Sequence, residues 1–192
     1  MSDGILLPGG GYQELLTYRK SLIVFDGTIC FCRRFMDSRD RTVDQMVQAA
    51  RSGVQNIAEG SVDAATSSKL ELNLYNVARA SLEELRLDYE DYLRQHNEPL
   101  WTKDSSLYRE FIFRRIADKA GFRAFIGWAE TSFPSVTLRN TPYKSVLVAN
   151  ATLLLISAAT YFLKRQIDGK AKRFLDSGGF AERMSRMRRE KR

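Results

Sequence analysis

Hydrolytic and group-transfer chemistry needs a nucleophile beside a base, and metal chemistry needs several histidine, cysteine or carboxylate ligands at fixed spacing. This chain of 192 residues holds one histidine, His96, and two cysteines, Cys30 and Cys32. The cysteines sit two apart in a stretch with a helical pattern, where positions two apart do not face one another, so they read as reduced core thiols of a cytoplasmic protein. With so few ligands a zinc site is not expected. Ser61 and Ser81 have no histidine near them in sequence, and no glycine-rich loop of the Walker type is present. The carboxylates Glu59, Glu83, Glu84, Asp88, Glu90 and Asp91 carry the charge for a two-metal site, yet the Glu-x-x-His companion of bundle di-iron proteins is missing. The expectation is a non-enzymatic protein with no cofactor and no metal.

The positive chemistry lies in charge. From Tyr161 to the C-terminus there are 11 Lys/Arg against 4 Asp/Glu, whereas the preceding 160 residues hold 19 of each, so the whole net charge of +7 sits in the last 32 residues. A concentrated basic segment suits a polyanion, and phosphates are bound by such groups through charge and counterion release. The first candidate surface is therefore Lys164, Arg165, Lys170, Lys172, Arg173, Arg183, Arg186, Arg188 and Arg189, with Lys191 and Arg192 behind them. A second set, Arg33, Arg34, Arg39, Arg41 and Arg51, lies among Asp37, Asp40 and Asp44, close enough for ordinary surface ion pairs; Arg41 and Arg51 join the first surface as candidate nucleic-acid contacts. In a third, Arg109, Arg114, Arg115 and Arg123 alternate with Phe111, Phe113, Phe122, Phe125 and Trp128. Exposed rings beside such cations would stack single-stranded bases, while burial accounts for most of these aromatics more simply.

The elements that must carry these groups are helices. Only four prolines and twelve glycines punctuate the chain. Leu15, Leu22, Ile29 and Met36 recur at seven-residue spacing beside a second row of Tyr18, Phe25 and Cys32, which predicts a helix over 12–37. Thr42 with Gln45 suggests a capping box ahead of a stripe of Val43, Met46, Val47, Ala50, Val54 and Ile57, with Gly60 closing that helix. Ser68 with Glu71 repeats the spacing before Leu70, Leu74, Val77, Ala78, Leu82, Leu85, Tyr89, Tyr92 and Leu93, and this third helix is expected to reach His96. Thr141 and Pro142 suit the start of a fourth helix that Gly178 and Gly179 end. The intervening residues are too apolar for a linker and predict short helices over 106–119 and 122–131.

The run Val146 to Leu163 has 18 residues without a charge, which reaches the lower edge for a membrane span, but Asn150, Thr152, Ser157 and Thr160 interrupt it and basic residues flank both ends. It reads as a helix buried on most faces, with more apolar surface than one four-helix core needs, and so with part of it facing a second subunit. No membrane role is expected. The N-terminus lacks the basic residues of a secretory signal. The fold expected is all-α: an antiparallel up-down four-helix bundle with an aromatic helical insertion between helices 3 and 4 and a basic suffix. Its parts are a flexible lead-in over 1–11, three bundle helices over 12–99, the insertion over 100–140, a fourth helix over 141–177 and the suffix over 178–192. In that suffix Phe180, Met184 and Met187 form one apolar edge too small to fold alone, so it is expected to order on binding.

The stretch RTVDQMVQAARSGVQNIAEGS, Arg41 to Ser61, and SSKLELNLYNVARASLEELRLDYEDYL, Ser67 to Leu93, resemble the bacterial four-helix bundle proteins. That family includes proteins encoded in intervening sequences of large-subunit ribosomal RNA genes and the accessory variability determinants of diversity-generating retroelements. The likeness spans Tyr12 to Leu93 and resumes near Tyr143. The ending SGGFAERMSRMRREKR, with the aromatic insertion, is similar to the longer subgroup that carries a suffix domain. The resemblance implies a homopentamer with a basic surface which, in the retroelement branch, partners a reverse transcriptase and nucleic acid. A protein–protein adaptor that uses its acidic third helix or its tail is the alternative.

Overall fold

The computed structural model describes residues 11–133 and 143–177, together with residues 185, 188 and 189. The Thr141–Pro142 start, the Gly178–Gly179 stop and most of the suffix lie outside the described residues. Among the described residues the chain is all-α, with no strand: a 3-10 turn over Tyr12–Glu14, then α1 (Leu16–Phe35), α2 (Arg41–Asp63), α3 (Ser68–Gln95), α4 (Ser106–Arg114), α5 (Lys119–Ser132) and α6 (Tyr143–Ser177).

α2 to α5 start at side-chain caps, and those of α2 and α3 lie one or two residues from where spacing suggested. Asp40, not Thr42, caps α2, its carboxylate accepting from the Thr42 N–H at 2.9 Å. Ser67, not Ser68, caps α3, its hydroxyl accepting from the Leu70 N–H at 3.2 Å. Ser105 and Asp118 cap α4 and α5 in the same way. Arg115, with φ of 48°, turns the chain into the left-handed region, so α4 stops at Arg114 instead of running to 119. Gly60 does not end α2, which continues to Asp63. Its role is close approach: a Cβ there would lie 2.9 Å from Tyr75 Cε1, a buried ring with no room to move aside.

The four long helices contact one another in a closed order, α1 on α2 and α6, α3 on α2 and α6, while α5 packs mainly on α6. Marker contacts give their directions. Gly53 meets Leu82 and Gly60 meets Tyr75, so α2 and α3 run antiparallel. Tyr92 donates to Ser145 Oγ at 2.9 Å while Lys170 meets Glu71 at 2.5 Å, so α3 and α6 do too. Thr17 reaches Gln166 at 2.9 Å, whereas Gly27 lies beside Thr152, so α1 is antiparallel to α6.

The main core centres on Phe31, Leu85, Tyr89, Leu147 and Ile156, with Phe111, Phe122 and Phe125 of the insertion joined to it. Truncating such a side chain costs about 3–5 kcal/mol. A smaller cluster of Ile57, Tyr75, Ala78 and Leu163 holds the opposite end. The buried face of α1 is not the expected seven-residue row, since Leu22 is 38% exposed and Leu15, Ile29 and Met36 are half-buried. Thr17, Ser21, Ile23, Val24, Thr28, Phe31 and Cys32 face inward instead. Two of these hydroxyls find partners: Thr28 donates to the Val24 carbonyl at 2.8 Å and accepts from the Tyr89 hydroxyl at 3.1 Å, and Thr17 reaches Gln166. Cys32 is buried as expected, but Cys30 is exposed.

Asn150, buried in α6, fixes the start of the insertion. Its Oδ1 accepts from the Trp101 N–H at 2.7 Å and its Nδ2 donates to the Pro99 carbonyl at 3.2 Å. α6 is long and apolar enough to cross a membrane, and 67% of its apolar window is buried within the chain. Because α5 covers it alongside α1 and α3, α6 exposes less apolar surface than the sequence suggested.

Candidate nucleic-acid interface

α6 changes character where its neighbours end. Up to Leu163 and Ile167 it supplies core side chains; Ala171 and Phe174 beyond Lys170 are half-buried, and Lys172, Arg173, Leu175 and Asp176 are exposed. Tyr161, Arg165, Asp168, Lys172 and Leu175 follow steps of four and three, so they share one helical face about 21 Å long. Lys164 and Arg173 flank this face, and all seven side chains are exposed. Tyr161 is 56% exposed, and the Arg165 guanidinium carbon lies 6.0 Å from its ring centre. An open ring edged by cations is the unit on which a base stacks while its phosphate is neutralised. Sequence patterning passed over Tyr161 because it closes an uncharged run. Its signal was its place three and four residues before Lys164 and Arg165.

The structure sorts the candidate cations. Lys164, Arg165, Lys172 and Arg173 are all exposed on α6, the first three within about 100° of one another around the helix and Arg173 about 100° beyond Lys172. Lys170 does not join them. Its ammonium lies 2.5 Å from Glu71 Oε1, and Glu71 is only 2% exposed, so Lys170 neutralises a buried carboxylate. The same region holds Tyr75, whose hydroxyl is pushed up from its ordinary pKa by burial and by the Glu71 charge. Arg188 and Arg189 are exposed on helical backbone, while Arg183 and Arg186 lie outside the described residues. Arg41 and Arg51 are exposed on α2, but Arg41 is about 30 Å along the helices from the Glu71–Lys170 pair, at the other end of the molecule. Arg41 therefore does not extend the α6 surface.

The two other basic sets divide between pairing and packing. Arg39 is bound to Asp37 at 3.0 Å and holds that carboxyl below its usual range. Arg114 lies 4.2 Å over the Trp128 ring and pairs with Glu110 at 2.7 Å, and Phe111, Phe122 and Phe125 are buried. Phe113 is the most open aromatic described on the insertion, 80% exposed between Arg109 and Arg115. The end of the molecule near Arg41 is acidic: Asp37, Asp40, Asp88 and Asp91 line one depression there. Burial, with the nearby charges of Glu84 and Asp91, pushes the Asp88 carboxyl up to about 6.

The chain matches no protein-family model, no curated protein and no solved structure. The residues considered for chemistry are held in other ways. Ser81 Oγ lies 2.9 Å from Ser52 Oγ, and His96 places Nδ1 2.7 Å from the Tyr92 carbonyl oxygen while its ring packs on Tyr92. Among the described residues no three metal-ligating side chains form a group that could hold an ion.

Proposed function

We propose that the chain is an antiparallel up-down four-helix bundle of the family its sequence resembles, and that it is a non-enzymatic accessory protein binding single-stranded nucleic acid along the outer face of α6. The observation that carries this reading is the exposed Tyr161 with Lys164 and Arg165 one turn away, followed by Lys172 and Arg173. The suffix extends the same charge. As a homopentamer it would repeat this surface about an axis, so weak contacts would add as avidity. A reverse transcriptase is the partner that the resemblance suggests. The adaptor reading draws on α3, where Leu70, Val77 and Leu87 are exposed and Leu87 stands among Glu83, Glu84, Asp88, Glu90 and Asp91.

Native mass spectrometry of the full chain at micromolar concentration, with a single strand of roughly 20 nucleotides, tests both parts. The expected result is a five-chain mass carrying the strand, with Tyr161→Ala weakening binding about tenfold, as loss of one stacked base does. A monomer would overturn the assembly. A pentamer that takes up no strand would overturn the nucleic-acid reading and favour the adaptor.

A further inference from the structure

α1 and α5 meet at one point and then diverge. At the meeting point Lys119 Nζ lies 2.7 Å from Asp26 Oδ2, and a Cβ on Gly27 would sit 4.0 Å from Phe122 Cε1. Further along, Lys144 of α6 ties to Glu130 of α5 at 2.7 Å. Between these two ties lies a cleft of about 430 Å³, within the size range of small-molecule sites. Its floor is apolar: Phe35 and Val148 are half-buried, Ile23, Phe122 and Ile126 show only their edges, and Phe31 is wholly buried. One wall lacks a side chain at Gly127, where a Cβ would meet nothing within 4 Å.

The rim is cationic. Lys119 and Lys144 are occupied by their carboxylate partners, whereas Arg34 and Arg123 are exposed and carry no ion pair among the described residues. An apolar floor under two uncommitted guanidinium groups selects a ligand with an apolar body and an anionic head. A nucleobase fits poorly, because the floor side chains offer its polar edges no hydrogen-bond partner and unpaired burial of those edges is costly. We propose that this cleft binds a small amphiphilic anion, with an acyl or aryl body against Phe35, Phe122 and Val148 and a single carboxylate, sulfonate or phosphate head held by Arg34 and Arg123. This inference is independent of the surface on α6, and either can fail without the other.

Cys30 reports on occupancy. It lines the cleft and is exposed, whereas Cys32 is buried and its thiol is pushed up to about 11, mainly by that burial. Iodoacetamide therefore labels Cys30 selectively. The experiment follows that labelling on the full chain, by intact mass and peptide mapping, with decanoate as the probe and decanol and inorganic phosphate as controls. At several times its dissociation constant decanoate is expected to slow labelling about fivefold, since the reactive fraction falls as one over one plus the ligand-to-Kd ratio. Decanol and phosphate at the same concentration are expected to slow it less than about twofold. In Arg34→Ala/Arg123→Ala, both exposed positions that the fold does not need, the decanoate effect is expected to vanish. In Gly127→Leu, which puts a side chain into the open wall, decanoate is expected to add no slowing to the variant's own rate. Equal protection by decanol, undiminished protection in the double arginine variant, or no protection by decanoate would each overturn the proposal.

Discussion

The two halves of α6 are one continuous helix with opposite surroundings. From Tyr143 to Leu163 its side chains mostly enter the core, and its polar groups, Ser145 and Asn150 among them, are held by Tyr92 and by the backbone of residues 99 and 101. From Lys164 to Asp176 it projects charge and the 82% exposed Leu175 into solvent. The helix is the same; α1 and α3 lie alongside it as far as Gln166 and Lys170, and beyond them its side chains have little to pack on. The buried Glu71–Lys170 pair lies within the second half and makes one of its cations structural.

The sharpest way to break this division is at that pair. Lys170→Ala leaves Glu71 charged and buried without its cation, and is expected to cost about 2–4 kcal/mol, less than a fully dry pair would because Lys170 is partly exposed. Glu71→Gln/Lys170→Met, which removes both charges, is expected to recover most of that loss in chemical denaturation. A cost for Lys170→Ala no larger than that for Lys164→Ala would show that Lys170 belongs with the exposed cations after all.

A smaller effect tests the other end of the molecule, where the acidic depression stands against the basic half of α6. Because the Asp88 carboxyl is raised to about 6 in the folded state, folding favours its protonated form. Its contribution is therefore fully present below the ordinary carboxylate pKa and is lost as pH rises through about 6. Asp88→Asn is expected to stabilise the protein at pH 7 by on the order of 1 kcal/mol once solvent screening of this half-exposed group is allowed for. Little difference should remain near pH 4. Melting curves at the two pH values check this, and a variant less stable at pH 7 would contradict it.

The helices were legible in the sequence because three- and four-residue periodicity survives in α2 and α3, where Met46, Ala50, Val54 and Ile57 face Ala78, Leu82 and Leu85. The caps were legible only to within two residues, since Asp40 and Thr42, or Ser67 and Ser68, offer the same chemistry and local geometry chooses between them. The inward face of α1 was not legible. Its Thr17, Ser21 and Thr28 look like surface residues until Gln166 and Tyr89 are brought to two of them from distant parts of the chain. For the candidate site, the basic segment could be read directly from charge counts. The withdrawal of Lys170 could not, because its partner is 99 positions away, and neither could the exposure of Tyr161, which depends on which face of α6 the packed helices leave open.

The exposed cations of α6 are expected to matter least for stability and most for binding. Lys164→Ala, Arg165→Ala, Lys172→Ala and Arg173→Ala together should change the unfolding free energy by no more than about 1 kcal/mol, as surface substitutions do. The decisive measurement is the slope of log affinity against log salt concentration for a single-stranded oligonucleotide, taken on the full chain and on this fourfold variant. The account predicts measurable binding by the parent chain and a slope shallower by about two to three in the variant, at roughly 0.7 for each phosphate that is no longer neutralised. No binding by the parent chain, or the same slope in both, would contradict it.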